Sequence, residues 1–187
     1  MISKGRLSSP STVIGLLRER GLSPQKRLGQ NFLVDANILG RIVDAGGVQE
    51  GGQVFEIGAG LGVLTQALCE RVGESGRVAT VEIDRGLLKV LELTLANLSQ
   101  VSLIESDVLA LDLEATFASR FDPSEPIAVV ANIPYQITSP LIAALLKQKE
   151  RVSRMVFLVQ REVALRLAAE PGTPDYGSFT LFCQYHA

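Results

Sequence analysis

Gln53-Val54-Phe55-Glu56-Ile57-Gly58-Ala59-Gly60-Leu61-Gly62 decides the fold. A short apolar run breaks into a turn with glycine at every second position, and the helical pattern of Leu64 to Arg71 follows. Strand, glycine turn and helix in that order open an α/β unit, because glycine lets the backbone turn tightly and approach a ligand closely. Outward from it, apolar runs recur near residues 77–83, 101–105, 127–131 and 154–160. Helical periodicity fills the gaps at Arg85 to Asn97, Asp112 to Ser119, Ser139 to Lys149 and Arg161 to Ala169, with Pro140 at a tolerated first-turn position. Strands of this kind are buried on both faces. The expected fold class is therefore α/β: a mostly parallel sheet with helices on both faces, right-handed crossovers and ligands bound beyond the carboxyl ends of the strands. Two helices precede it. One runs from Ser11 to Arg20 and stops at Gly21; the other is capped by Asp35, shares a face of Ile38, Leu39, Ile42 and Val43, and ends at Gly46-Gly47. Gly177 to Ala187 reads as one more strand, reached by the loop 170–176.

The chain has 187 residues, 47% of them hydrophobic, which suits one well-buried core. Its net charge of -2 argues against a uniformly basic nucleic-acid binder. The charge is uneven, however. Lys4, Arg6, Arg18, Arg20, Lys26 and Arg27 stand against Glu19 alone in residues 1–27, and Lys147, Lys149, Arg151, Arg154, Arg161 and Arg166 stand against Glu150 and Glu162 in residues 147–166. Such segments are either ordinary solvated faces or patches that hold phosphates, with Lys26, Arg27 and the segment from Lys147 to Arg154 as the candidates. Cys69 and Cys183 lack metal-site spacing and no disulfide framework is suggested, so a reduced, cytoplasmic setting is expected. The single histidine, His186, sets aside a His-based triad or a His-rich metal site, and no metal is expected. No apolar run reaches membrane-spanning length, so a soluble protein without a membrane partner is expected; a monomer is the expected state.

The glycine turn departs from the dinucleotide fingerprint, which needs its third glycine where Val63 stands. A nucleoside without phosphates fits better. Glu82, at the end of the second strand and about twenty residues past the turn, is placed to accept both ribose hydroxyls. Asp107, after the third strand, is either a helix cap or an acceptor for the amino group of a bound adenine, with Val108 beside the ring. Gly58 and Gly60, Glu82, Asp107 and Asn132 follow strands one to four in order, which describes one continuous groove.

Asn132-Ile133-Pro134-Tyr135 then supplies a chemistry. The amino group of adenine is a poor nucleophile because its lone pair is delocalised into the ring. A side-chain amide oxygen from Asn132 and a neighbouring backbone carbonyl can accept its two N–H hydrogens and favour a pyramidal nitrogen. Pro134 would fix that backbone, and Tyr135 would offer a face on which an extruded base stacks. The expected activity is methylation of adenine N6, with no need for a strong general base.

Lys26 to Leu33 (KRLGQNFL), Glu56 to Gly62 (EIGAGLG), Val81 to Asp84 (VEID), Ser106 to Val108 (SDV), Asn132 to Tyr135 (NIPY) and Gln160 to Val163 (QREV) together resemble the ribosomal RNA adenine N6,N6-dimethyltransferases of the KsgA type. The similarity runs from about residue 10 to the end. It implies a class I S-adenosylmethionine-dependent methyltransferase that dimethylates two adjacent adenines near the 3′ end of small-subunit ribosomal RNA during ribosome assembly. In that family Asn31 and Leu33 would close over the methionine end, Gly58 and Gly60 face the cofactor backbone, Glu82 binds ribose, Asp107 the cofactor adenine and Asn132 the target amine. Phe179 would fall in the target-base pocket, its alternative being core packing. Residues 1–50 are then a helical extension and cofactor-closing segment, and residues 51–187 the catalytic domain. Family members continue with the last strand of the sheet and a helical domain, so a truncated, weakly active chain is expected. Erythromycin-resistance-type methylation of large-subunit RNA, and a non-catalytic RNA-binding assembly factor on the same fold, are the competing readings. A DNA amino-methyltransferase is disfavoured, because those enzymes prefer an acid and a proline where this chain has Asn132 and Ile133.

Overall fold

The computed structural model describes Gly15, Leu33, residues 35–133 and residues 135–187. The helix expected over Ser11 to Arg20 lies outside the described residues except for Gly15, which is helical. The second expected helix is present as α1, Ala36–Gly46. The Asp35 carboxylate accepts from the N–H groups of Asn37 and Ile38 at its start, and Gly47, at φ 63°, closes it.

Five strands form the sheet: β1 Gln53–Ile57, β2 Arg77–Glu82, β3 Val101–Glu105, β4 Ile127–Asn132 and β5 Val152–Leu158. Their order is β3-β2-β1-β4-β5 and every pair is parallel. Order reverses at β1, which lies between β2 and β4, so the crevice beyond their carboxyl ends is the expected ligand site. The crossovers are α2 Val63–Val72, α3 Arg85–Thr94, α4 Leu113–Arg120 and α5 Thr138–Leu146.

Side chains alternate across β1 into two cores. Phe55 and Ile57 join Ala79, Val81, Val129 and Ala131 against α4 and α5, where Phe117 meets Phe55 edge-on with ring centroids 5.2 Å apart. Val54 faces the other way with Val78, Ala128 and Val130, against Leu64, Leu68 and Val72 of α2 and Ile42 and Val43 of α1. α1 is thus part of the sheet's cover.

The strand expected over Gly177 to Ala187 is instead a helix. Beyond β5 come α6 Arg161–Leu167 and α7 Ser178–His186. Phe179, Leu181 and Cys183 alternate as a strand would, but the buried residues of α7 are Thr180 and Cys183, three apart on one helical face. Cys183 packs on Ile142 and Leu146 of α5. The Thr180 hydroxyl donates to the Arg166 carbonyl at 2.7 Å and accepts from the Gly177 N–H at 3.2 Å, which fixes the helix start. No described helix is long and apolar enough to cross a membrane.

Candidate active site

The glycine turn between β1 and α2 is built on backbone that only glycine enters without strain. Gly58, Gly60 and Gly62 have φ of 79°, 59° and 84°. The Gly58 N–H donates to the Val81 carbonyl, which continues the sheet into the turn. A Cβ at Gly58 would sit in ordinary contact, 3.7 Å, with the Asn132 carbonyl, so the positive φ and not crowding calls for glycine there, and the turn lies close against the end of β4. At Gly62 a Cβ would press on Leu91 of α3 and on Leu95 just past its end, at 3.2 and 3.1 Å.

Leu33, Gly58, Ala59, Gly60, Leu61, Val63, Leu64 and Asn132 line one pocket at this end of the sheet. The structure therefore brings together four of the sequence-derived positions: Leu33, Gly58, Gly60 and Asn132. Ala59, Leu61, Val63 and Leu64 extend the wall. Their apolar character reads equally well as core, and only the turn geometry aims them at a cavity.

Glu82 stands at the carboxyl end of β2 and is 5% exposed. Its Oε1 accepts from the N–H groups of Ile83 and Asp84, and its Oε2 from the Gly60 N–H, each at 2.9 Å. Burial raises its pKa above the usual carboxylate range against the lowering effect of these bonds. The carboxylate ties the glycine turn to the β2–α3 loop. Three of its four acceptor sites are filled, which leaves Oε2 one more bond to accept. Ile83, 50% exposed beside it, is an apolar surface at the same strand end that the motif reading passed over.

Asp107 is exposed and caps a single 3-10 turn, Val108–Ala110, its Oδ1 accepting from the Leu109 N–H at 2.9 Å; Val108 is buried. The capping alternative is realised, and the position after β3 is as expected. Phe179 lies on α7, its ring 6.4 Å from that of Phe182 in the cluster with Ile142, Leu146 and Cys183. The packing role weighed for it is thus present. Asn31 and Pro134 lie outside the described residues; Tyr135 opens a 3-10 turn, Tyr135–Ile137, after β4. Lys26 and Arg27 lie outside them too.

The basic segment from Lys147 to Arg154 sits at the opposite edge of the sheet. Val152 is in register with Ile127, at the amino end of β4, about 17 Å along the strands from Asn132. Two of its cations are engaged: Arg151 donates to the Asp122 carbonyl and Arg154 to the Ala45 carbonyl, each at 3.0 Å. Among the described residues no group of three or more His, Cys, Asp or Glu could hold a metal ion.

The glycine turn and Asn132 line this crevice, the buried Glu82 ties the turn to the end of β2, and the sequence profile of ribosomal RNA adenine dimethylase matches residues 21–187. The chain belongs to the ribosomal RNA adenine dimethylase family. This dimethylase-family chain is 40% identical over 181 residues to ribosomal RNA small subunit methyltransferase A of Alkaliphilus metalliredigens, an alignment covering 97% of this chain and 62% of that protein. It thus spans about six-tenths of the length of that curated relative. Among solved structures it resembles a dimethyladenosine transferase from Plasmodium falciparum, with TM-score 0.64 and 27% identity over 78% of this chain and 49% of that one. It also resembles the 23S rRNA methyltransferase ErmE, with TM-score 0.59 and 30% identity over 79% and 53% of the two chains. The fold of the dimethylase-family chain is the class I S-adenosylmethionine-dependent methyltransferase fold.

Proposed function

We propose that this chain carries the catalytic apparatus for transferring methyl groups from S-adenosylmethionine to N6 of adenine in ribosomal RNA. The observation that carries the reading is the position of Asn132: it ends β4, the strand beside β1, and lines the same pocket as the glycine turn. The residues fit such a cofactor. Glycines at positive φ admit a ligand against the backbone, Leu33 and Leu61 supply apolar wall, and Glu82 keeps one acceptor site for a ribose hydroxyl. The cofactor would supply a methyl group on an electrophilic sulfonium.

The protein's part is then positioning and electrostatics. The Asn132 side-chain oxygen and a neighbouring carbonyl accept the two hydrogens of the target amine and hold its lone pair towards the methyl. Tyr135 offers a stacking face to a base taken out of its helix. Asp107 and the buried Val108 border the cofactor adenine, and Asn31 and Leu33 close over its methionine end from the segment that precedes α1, while α1 itself packs into the core of the catalytic domain. Pro134 stiffens the strand exit, and Phe179 backs the target-base side. The product amine is acidic enough to lose its proton to water.

The substrate we infer is a pair of adjacent adenines near the 3′ end of small-subunit ribosomal RNA in an assembling particle, modified to N6,N6-dimethyladenosine in the cytoplasm. The small-subunit assignment follows the relative named for that subunit, at 40% identity over nearly the whole chain. Large-subunit RNA is the second reading, favoured by the 30% identity to the 23S rRNA enzyme. Incubation with labelled S-adenosylmethionine and each purified subunit, followed by nucleoside digestion, separates them. Label in N6-methylated adenosine from the small subunit, lost in Asn132→Ala, is the expected result; label confined to the large subunit would replace the substrate, and label surviving in Asn132→Ala would overturn the site.

A further inference from the structure

Glu56 is a buried acid for which the proposed transfer has no task. It lies in β1 two residues before Gly58, is fully buried, and its Oε2 accepts a 2.6 Å hydrogen bond from the Thr65 hydroxyl in the first turn of α2. That bond spans the base of the whole glycine turn, because residues 57–64 run between its two partners and six of them line the pocket. The other carboxyl oxygen, Oε1, has no hydrogen-bond partner among the described residues, and neither does the hydroxyl of Thr80, the residue in register with Glu56 on β2.

An ionised carboxylate so placed is costly to hold. Thr65 and Cys69 lie near it on α2, Thr80 and Glu82 on β2, and Val130 is its register partner on β4; α1 covers this face with Ile42 and Val43. The charge that acts on Glu56 is that of Glu82, of the same sign as its own. Burial above all, then Glu82, pushes its carboxyl up to about 7 against the lowering effect of the Thr65 hydrogen bond. Glu56 thus exchanges a proton close to neutral pH, directly beneath the turn on which the cofactor would rest.

S-adenosylmethionine carries a sulfonium charge that its demethylated product, a neutral thioether, lacks. We propose that Glu56 is a positioning residue that exchanges its proton against that charge. The proton leaves to solvent when the charged donor settles on the glycine turn, and one returns from solvent when the neutral product takes its place. The site then discriminates donor from product more strongly as pH rises. This inference rests on the cofactor reading given above.

Calorimetric titration of the whole chain with S-adenosylmethionine and with S-adenosylhomocysteine tests it at pH 6, 7 and 8, in buffers of different ionisation heat. Wild type is expected to gain affinity for the donor by about fivefold from pH 6 to pH 8, the linkage expected if the bound donor lowers the carboxyl by one pH unit. Proton release should accompany donor binding, with a flat profile for the product. Glu56→Gln keeps the size of the side chain and an acceptor for Thr65 but cannot ionise, so it should abolish that gain. A donor-to-product affinity ratio independent of pH in wild type, or a gain that survives in Glu56→Gln, overturns the coupling and leaves the cofactor reading intact. Failure of both ligands to bind folded protein at every pH overturns the cofactor reading and the coupling with it. The wild-type proton count decides the question by itself should the variant not fold.

Discussion

Two glutamates in one crevice show how far environment separates chemically identical side chains. Glu82 receives three backbone N–H bonds at the rim of the glycine turn, whereas Glu56 receives one hydroxyl and is enclosed by protein. Folding therefore carries a proton-linked cost at Glu56. The folded chain holds that proton to about pH 7, while the unfolded chain releases it near 4.5. Between these values the folded state binds more protons, so this group's contribution to stability falls as pH rises through the window and is level above it. The full fall is on the order of 3 kcal/mol. Denaturant titrations of wild type and Glu56→Gln from pH 4.5 to 8 should diverge, the variant gaining relative stability as pH rises; parallel curves would contradict the buried-acid account. Of the two, only Glu82 had a role legible in the sequence, because a strand-end acid at that spacing has a known use. Glu56 occupies an apolar strand, and its role depends on burial that no local pattern reveals.

Among the elements, the glycine turn and the aromatic packing beneath β1 do the most to hold the crevice in shape. Gly62→Ala would force a residue with a Cβ to φ 84° and press it on Leu91 and Leu95. A loss of about 1–3 kcal/mol is expected in equilibrium unfolding. Phe117→Ala removes a ring packed edge-on against both Phe55 and Phe121, and should cost about 3–5 kcal/mol in the same measurement. The runs near 53–57, 77–83 and 127–131 were legible as strands because a central parallel strand is apolar on both faces and these runs are too short for a buried helix. The last element was not legible. Phe179 to Cys183 satisfies a strand period and a helix period at once, and packing against Ile142 and Leu146 of α5 decides for the helix. Phe179 shows the same limit for the site: the sequence marks an aromatic, and only the fold shows that it packs on Phe182.

Over the whole molecule, the two ends of the sheet carry different chemistry. The carboxyl end holds the glycine turn, Glu82 and Asn132; the amino end holds Arg151 and Arg154, which donate to the carbonyls of Asp122, in the loop before β4, and Ala45, in the last turn of α1. A count of basic residues cannot distinguish a phosphate-binding face from arginines spent on backbone, because both look alike until the chain is folded. Lys147→Ala combined with Lys149→Ala should therefore leave the salt dependence of RNA binding unchanged within error; a slope lower by about one per lysine would restore that edge as an RNA contact.

The central claim is that the crevice at the carboxyl ends of β1, β2 and β4 is a cofactor site with Glu82 as its polar anchor. Calorimetric binding of S-adenosylmethionine to the wild-type chain and to Glu82→Ala tests it most directly. Saturable one-to-one binding that the substitution weakens by at least about tenfold, on the scale of about 1.5 kcal/mol or more for a lost hydrogen bond to a charged group, is the predicted result. Equal affinity in the two proteins, with the variant folded, would contradict it.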